Sequence, residues 1–331
     1  MNQAQGVTLS IVIPHAGTYQ DILRVLQSIA DQNGNFTYEV LVVANPPEKY
    51  SENPFSKFKN LLYLTSKRGA NSARNVGLRA SQGEIILFLD DDCALESSQD
   101  LNRYLELHRQ YPSVAGIGGG YTLPSNCSYF ERIYNELQHR WIQNSFLPGG
   151  YTSHLLGGNS SFKSSTIKKY EFDETILFGG TETELQVRLY WDGHKLMYVN
   201  SLNVCHHSHL TFLGFMNKLF KQGIGAAYIQ SRLQRPPRYE IIQKPKAISS
   251  EGLANIAFTA GFQFFQKSKS HSASRLKTGL YIALSAWSVA KDKMMSHWHR
   301  LQIYRGLIDS KLISLRRKHD HEKQEQSQRK D

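Results

Sequence analysis

Short runs of aliphatic residues, each bounded by polar or turn-forming residues, recur through the first third of the chain. Four of them are rich in valine, isoleucine and leucine, as buried strands are: residues 9–13, 40–43, 61–64 and 85–89. Segments 19–30 and 71–80 place apolar residues at helical spacing, and Thr18 is a suitable N-cap for the first. The order strand, helix, strand, strand, helix, strand predicts an α/β fold, with a mostly parallel sheet flanked by helices. Ligands bind such sheets at the carboxyl ends of the strands.

The pattern continues to about residue 231. It predicts helices over 100–110 and 182–191, a strand over 195–199, and a loop or tight crossing at the glycine-rich run 116–120. The sequence Arg235-Pro236-Pro237-Arg238 then begins a break that we take as the end of the main domain. We therefore expect an α/β domain over residues 1–235.

Two apolar or amphipathic segments, 253–265 and 276–289, follow the break and are flanked by lysines. Neither reaches the roughly 18 uncharged apolar residues that a spanning helix needs. They suit helices that lie in the headgroup layer of a membrane or helices that pack on the domain, and the sequence leaves both open. We expect a basic helical extension over 236–315 and a disordered tail over 316–331.

Positive charge is concentrated in the C-terminal part. From Arg232 onward there are 20 lysine or arginine residues against 8 acidic ones, whereas residues 1–231 carry 19 against 20. A nearly neutral body with a basic appendage favours an anionic partner such as a membrane surface. Nucleic acid is disfavoured, because the basic residues are dispersed among apolar stretches and no zinc-finger, RRM or KH pattern is present.

The cysteines and the N-terminal segment indicate a compartment. The three cysteines form no CxxC pair and no even framework, so neither a structural zinc site nor a disulfide scaffold is expected. The N-terminal segment lacks a basic stretch followed by an apolar one, so we expect no signal peptide. A cytoplasmic protein that can associate with the inner membrane face is the resulting prediction.

Three adjacent carboxylates, Asp90, Asp91 and Asp92, follow the predicted strand over 85–89 directly. Carboxylates so close together repel one another unless a cation relieves the repulsion. Oxygen ligands favour Mg²⁺ or Mn²⁺, which proteins commonly hold with one or two carboxylates plus the phosphates of a substrate. The alternative, a helix N-cap with first-turn acids, needs only one carboxylate. The cluster therefore predicts a metal site that also receives a nucleoside diphosphate.

The start of the helix over 71–80 contains a glycine and three cations, Lys67, Arg68 and Arg74. Such a helix start can receive phosphate oxygens. Basic residues before a helix are more often merely solvated, but the neighbouring Asp cluster gives this segment more weight.

Five segments together resemble the family 2 glycosyltransferases, in order and at family-like spacing. They are SIVIP, RGANSARNVGLRASQGEIILFLDDD, GGNSSF, FDETILFGGTETELQVRLYWDGHKLMYV and VCHHSH, and the resemblance spans about residues 8–231. It implies a GT-A, Rossmann-like fold, a bound Mg²⁺ or Mn²⁺, and a nucleotide-diphospho-sugar donor. The implied activity is an inverting transfer to a hydroxyl of a glycan or glycolipid acceptor, in cell-surface polysaccharide biosynthesis.

The resemblance also implies roles for single residues. Asp90 and Asp92 match the ends of the family's DxD motif, with Asp92 as the stronger metal ligand and His206 as a histidine beside the metal. Glu182 stands at the family's acidic pair and inherits the role of catalytic base, a task that suits a carboxylate in a partly desolvated site. The remaining matches are donor contacts by Pro14, Asn45, Arg68, Arg74, Asn75, Asp90 and Asp91, and a sugar and acceptor loop at Gly158 and Asn159.

The chain departs from the family pattern at two positions. After the second strand the family places an Asp that recognises the base, whereas this chain has Ala44-Asn45. The amide of Asn45 can pair with a base edge, so uridine is not specified. Thr181-Glu182 replaces the acidic pair and lengthens its one carboxylate by a methylene group. Alternatively, Glu182 only stabilises a helix, as an acidic residue in the first turn does.

Two other functions remain open from the sequence. One is an Asp-dependent phosphotransferase, although its nucleophile normally follows the first strand rather than the fourth. The other is a non-catalytic sugar or membrane-surface binding protein on the same fold.

Overall fold

The computed structural model describes residues 6–46, 50, 53–177, 180–232 and 257–264. The strands are β1 Leu9–His15, β2 Tyr38–Ala44, β3 Leu61–Thr65, β4 Ile85–Leu89, β5 Cys93–Leu95, β6 Val114–Gly118, β7 Tyr121–Thr122, β8 Phe146–Leu147, β9 Tyr151–Thr152, β10 Asn159–Lys163, β11 Lys195–Tyr198 and β12 Val204–His206. The helices are α1 Tyr19–Ala30, α2 Ala70–Ala80, α3 Asp100–Gln110, α4 Tyr129–Gln143, α5 Ser164–Ile167, α6 Thr183–Trp191 and α7 Phe212–Arg232, and residues 257–264 are also helical.

The main sheet has the strand order β3-β2-β1-β4-β10-β6-β11-β9-β8. The four strands predicted from the aliphatic runs lie side by side and are all parallel. Strand β10 is inserted antiparallel between β4 and β6, and β11 pairs parallel with β6. A small second sheet has the order β5-β12-β7. The predicted α/β fold with flanking helices is confirmed, with a mixed second half that the aliphatic runs did not reveal.

The helices cover the sheet through their apolar faces. In α1 the buried face comprises Ile22, Val25, Leu26 and Ile29, and Thr18 caps the helix by accepting a hydrogen bond from the backbone N–H of Asp21 at 3.2 Å. Each aliphatic side chain buried in this way contributes about 1.5–3 kcal/mol to folding. Helix α1 begins directly after the loop that leaves β1, so its N-terminus lies at the edge where the parallel strands end.

Residues 116–120 were predicted to form a loop or a tight crossing, and the loop was wrong for the first half of this run. Gly116 and Gly118 belong to β6, in the interior of the sheet. A Cβ atom at Gly116 would lie 2.6 Å from the ring of Phe162, and one at Gly118 would lie 2.5 Å from the backbone oxygen of Asn159. These glycines therefore permit close packing of neighbouring groups within the sheet.

The helical segment 257–264 packs against α7. A Cβ atom at Gly223 would lie 1.9 Å from the backbone oxygen of Phe258, and one at Gly261 would lie 1.8 Å from that of Phe220. Ala260 and Phe264 are buried in the same contact. This part of the predicted extension therefore packs on the α/β domain. The predicted helix over 276–289, the tail over 316–331 and the predicted boundary at 235 lie outside the described residues.

The crossing at Gly223 gives a stability prediction. We expect Gly223→Ala to lower the free energy of unfolding by about 1–3 kcal/mol, because the methyl group meets backbone that must move. Chemical denaturation measures the change. Gly214→Ala in the same helix is the control, since its nearest neighbour is the Thr211 hydroxyl at 3.3 Å and alanine favours a helix. Equal stabilities for the two variants would contradict the observed packing.

No helix in the described ranges is both long enough and apolar enough to cross a membrane.

Candidate active site at the strand ends

The candidate site lies where β1, β2 and β4 end and where the antiparallel β10 begins. Parallel strands bring their carboxyl ends to one edge of a sheet, and the reversed β10 brings its first residue to the same edge. The Asp cluster follows β4, and Gly158 immediately precedes β10. Helix α2 contributes side chains from its first turns, and α6 begins directly after Glu182. Six separate segments therefore meet at this edge.

Arg74 joins three of these segments. Its Nη2 donates to the Asp90 carboxylate at 3.0 Å, and its Nη1 donates to the Thr181 hydroxyl at 3.2 Å. The side chain is 5% exposed, whereas that of Asp90 is 35% exposed. Burial raises the pKa of Asp90 above its ordinary value, although the guanidinium of Arg74 opposes this shift. Arg74 thus fixes one carboxylate beside the segment that carries Glu182.

Asp91 is turned towards the loop after β1. Its Oδ2 accepts hydrogen bonds from His15 Nδ1 at 2.6 Å and from the backbone N–H groups of Ala16 and Gly17 at 2.8 and 2.6 Å. His15 is fully buried, and its other ring nitrogen lies 3.0 Å from the Tyr50 hydroxyl. Asp91 therefore holds this loop in place. Its direct contact with a donor stays a prediction.

Asp92, Cys93 and His206 form a group that can hold a metal ion, with one ligand atom of each lying within 4.8 Å of the others. The antiparallel pairing of β5 with β12 sets His206 opposite Cys93. His206 Nε2 lies 3.4 Å from Asp92 Oδ2, and Cys93 Sγ lies 3.7 Å from Asp92 Oδ1. The small second sheet thus brings together residues more than a hundred positions apart.

The protonation states favour two of these three ligands. Burial alone would raise the pKa of Asp92, but its electrostatic interaction and hydrogen bond with His206 and the charge of Lys218 outweigh burial and lower the pKa to about 2, so the carboxylate is ionised. Burial and the neighbouring carboxylates raise the pKa of the Cys93 thiol well above its ordinary value, so it is a protonated, weak ligand. One carboxylate and one imidazole fit a divalent cation that keeps positions for phosphate oxygens. The imidazole favours Mn²⁺ over Mg²⁺, which prefers oxygen ligands.

Glu182 is the N-cap residue of α6 and is partly buried. Its Oε2 accepts a hydrogen bond from the Thr181 hydroxyl at 2.6 Å. A Cβ atom at Gly157 would lie 3.1 Å from the Glu182 carboxyl carbon and 3.2 Å from Arg74 Nη2, so these two side chains face the same glycine. Burial alone would raise the pKa of Glu182, but Arg74 and His154 outweigh it and lower the pKa. The carboxylate is therefore ionised and can accept a proton.

Of the two residues predicted to form the sugar and acceptor loop, Gly158 lies at the site and Asn159 does not. Gly158 lies against the Asp cluster, where an added Cβ atom would be 2.5 Å from Asp90 Oδ2. Asn159 is fully buried, and its Nδ2 donates to the backbone oxygens of Gly120 and Leu202 at 2.8 and 3.0 Å. Its Oδ1 accepts from the Tyr104 hydroxyl. Asn159 thus ties the start of β10 to the loops that precede β7 and β12 and to α3, and it does not line the open side of the site.

Asn45 and Asn75, both predicted to contact the donor, are engaged inside the protein. Asn45 Oδ1 accepts from the backbone N–H of Gly69 at 2.9 Å, which links the end of β2 to the start of α2. Asn75 exchanges hydrogen bonds with the backbone of Phe172 and donates to Glu174 Oε1 at 2.9 Å. Both side chains therefore fix the loops around the site in this structure.

Pro14 and Arg68 complete the predicted donor contacts. Pro14 is a buried residue of β1, one position before His15. Arg68 is exposed immediately before α2. Burial and the charge of Arg68 together lower the pKa of Lys221, so Arg68 lies close to α7. Of the two, Arg68 is the one with a side chain open to an incoming ligand.

Sequence reasoning missed Lys218 in α7. Its Nζ lies 4.4 Å from the centre of the Tyr134 ring, and its charge contributes to the low pKa of Asp92. No motif marks it, but its position three residues after the buried Phe215 places a charge on the inner side of the helix.

The chain is similar in sequence to known glycosyltransferases. A model of the family described as glycosyl transferase family 2 matches residues 10–173. The chain is 23% identical over 231 residues to glycosyltransferase AglE of Haloferax volcanii, covering 66% of this chain and 72% of that protein. It is 28% identical over 109 residues to an uncharacterized glycosyltransferase of Haemophilus influenzae, covering 32% of this chain and 36% of that protein.

Two solved structures show a similar fold. A mannosyltransferase from Pyrobaculum calidifontis, in complex with GDP-Man and Mn²⁺, has a TM-score of 0.53 and 15% identity, covering 85% of this chain and 80% of that chain. Residues 1–349 of TarS from S. aureus, in complex with UDP-GlcNAc, have a TM-score of 0.50 and 13% identity, covering 77% and 80% of the two chains.

Proposed function

This chain belongs to glycosyltransferase family 2, and on that premise we propose that it transfers a sugar from a nucleotide-diphospho-sugar to a hydroxyl of a glycan or glycolipid, inverting the anomeric carbon. The observation that carries the proposal is the meeting, at one sheet edge, of an ionised Glu182 with the Asp92 and His206 pair. Glu182 supplies a base, and the Asp92 and His206 pair can hold a divalent cation. Family membership also sets aside the phosphotransferase hypothesis.

The proposed reaction is a single displacement. Glu182 takes the proton of the acceptor hydroxyl while the acceptor oxygen forms a bond to the anomeric carbon. The bond between that carbon and the donor diphosphate breaks, and its electron pair leaves with the diphosphate. Asp92 and His206 would hold a divalent cation, and that cation would neutralise charge on the diphosphate. Arg74 keeps Asp90 in place, and Asp91 holds the β1 loop over the same edge.

Glu182 is suited to act as the base because its carboxylate is ionised and forms no ion pair with the residues that the structure describes. Arg74 is directed at Asp90 and Thr181, and lowers the pKa of Glu182 from a distance. Glu184, two residues later, differs: it forms an ion pair with Arg188 at 2.8 Å. A carboxylate that is ionised, partly buried and not neutralised by a bonded cation can take a proton in the transition state.

The acceptor is proposed to lie at a membrane surface, in cell-surface polysaccharide biosynthesis. The excess of 20 basic over 8 acidic residues from Arg232 onward favours an anionic surface. Exposed apolar side chains at the starts of α4 and α7 add to this, since Tyr129, Phe212 and Leu213 are 64%, 43% and 76% exposed. Aromatic and aliphatic groups beside basic segments suit the headgroup layer. The proposal is a peripheral enzyme at the inner membrane face that adds single sugars.

Donor turnover tests the proposal. We expect one of the UDP-, GDP- or dTDP-sugars to be consumed, with more turnover in Mn²⁺ than in Mg²⁺ because of the His206 ligand. Release of nucleoside diphosphate measures it, with lipid and sugar acceptors present. If no donor is turned over or bound under these conditions, the chain is a non-catalytic binding protein and the proposal is wrong.

A further inference from the structure

Lys218 occupies an unusual position for a lysine. It lies in α7 between Phe215 and Leu219, which are buried, so its stem is directed towards α4. Its Nζ lies 4.4 Å from the centre of the Tyr134 ring, within the range of a cation–π contact. Gln222, one turn further along α7, donates to the Tyr134 hydroxyl at 2.5 Å. The ring is thus held from the same helix, and the ammonium group has a fixed support.

The ammonium group is within electrostatic reach of Asp92 and Asp90 but forms no ion pair with them. Among the residues that the structure describes, no carboxylate oxygen lies within 4.0 Å of Lys218 Nζ. Burial alone would lower the pKa of Lys218, but Tyr134 and the carboxylates of Asp92 and Asp90 raise it, so the group is charged. A partly buried cation that is attracted by carboxylates but not bonded to them has donors free for another anion.

A ligand of the Asp92 and His206 pair would come within the influence of this charge. The donor diphosphate is the anion that reaches this edge of the sheet under the proposed function. On that basis we infer that Lys218 binds the β-phosphate of the donor and stabilises the nucleoside diphosphate as it departs. The inference rests on the proposed function, and it adds a group from α7 to a site otherwise built from strand ends and helix starts. The charge on a departing diphosphate is greatest in the transition state, where a positioned cation has most effect.

Binding of nucleoside diphosphates and monophosphates separates this role from others. The affinities of UDP, GDP and dTDP, and of UMP, GMP and dTMP, are measured by calorimetry in Mn²⁺ for wild type and Lys218→Met. We expect the affinity for the preferred diphosphate to fall roughly tenfold to a hundredfold, the range for loss of one charge-assisted hydrogen bond. Affinity for the matching monophosphate should be nearly unchanged. Lys218→Arg, which keeps the charge, should recover part of the loss.

Lys195→Met is the matched control. Its ammonium lies 4.8 Å from the centre of the Tyr151 ring, so it is also a lysine over a tyrosine, but it belongs to β11 and is exposed. We expect its nucleotide affinities to equal those of wild type. Thermal unfolding of the nucleotide-free proteins checks folding, and we expect Lys218→Met to be folded at the temperature of the binding measurements, with a small decrease in unfolding temperature because the Tyr134 ring and the nearby carboxylates stabilise the charge.

Three results would overturn the inference. Unchanged diphosphate affinity in Lys218→Met would leave the proposed function standing and remove Lys218 from it. Equal losses for monophosphate and diphosphate would show that Lys218 only supports the local structure. Failure of the wild type to bind any of the three diphosphates would overturn the proposed function as well, and is thereby distinguished from the first two results.

Discussion

Replacing Glu182 by glutamine is expected to lower the rate of sugar transfer by about a hundredfold to ten-thousandfold, the range for removal of a general base. Glutamine keeps the size of the side chain and can still accept the hydrogen bond from the Thr181 hydroxyl. It cannot take the proton of an acceptor hydroxyl at neutral pH. The loss should therefore appear in kcat for transfer, measured as nucleotide released in the presence of acceptor, with affinity for the nucleoside diphosphate retained.

The matched control is Glu171→Gln, at a glutamate that forms an exposed ion pair with Arg79 on another side of the domain. Exposed ion pairs contribute little to stability, so this variant should fold and turn over as wild type does. Retained transfer in Glu182→Gln would show that another group is the base. A fall in diphosphate affinity parallel to the fall in rate would instead indicate that Glu182 shapes the donor site.

Replacing Asp92 by asparagine is expected to reduce activity by about a hundredfold to a thousandfold at moderate Mn²⁺, as loss of one group that stabilises transition-state charge does. The change removes a carboxylate whose pKa of about 2 keeps it ionised throughout the useful pH range. Half-saturation by Mn²⁺ should therefore shift to higher concentration. A Mn²⁺ titration followed by activity, and by direct measurement of bound Mn²⁺, reports the shift.

Glu96→Gln is the companion variant for Asp92, because it removes a carboxylate four residues later on an exposed part of the same segment. We expect its Mn²⁺ titration to overlay that of wild type. If Asp92→Asn binds Mn²⁺ as tightly as wild type does, then Asp92 and His206 are not the ligands, and the metal site must be sought at Asp90.

The sequence predicted those parts of the molecule that local pattern controls. Aliphatic runs predicted the four parallel strands, and the burial expected for them holds for β1, β2 and β4, which leave little choice of residue. It was wrong for β3, which lies at the edge of the sheet and is only partly buried, with Leu62 45% exposed. The Asp cluster and the start of α6 at Glu182 were also located correctly, since both depend on residues adjacent in the chain. The sequence therefore predicted which edge of the sheet carries the candidate site.

The separate tasks of neighbouring residues could not be foreseen, because distant segments determine them. Asp91 turns to the β1 loop owing to His15, which lies 76 positions earlier. Asn159 is withdrawn from the site by carbonyl groups of Gly120 and Leu202. The ammonium group of Lys218 is positioned by the ring of Tyr134, a residue of another helix. Each assignment needs the tertiary contact itself, which no periodicity or spacing contains.

Because β10 runs antiparallel to β4, the site is built from two kinds of chain segment. The Asp cluster, Asn45 and His15 all stand at the exits of parallel strands, whereas Gly157 and Gly158 stand at the approach to an antiparallel one. Changes of length in the chain ahead of β10 can therefore be absorbed without shifting the register of the donor-side strands. Under the proposed function, we expect exchange of that connection between homologous enzymes to change the acceptor and to leave the donor unchanged.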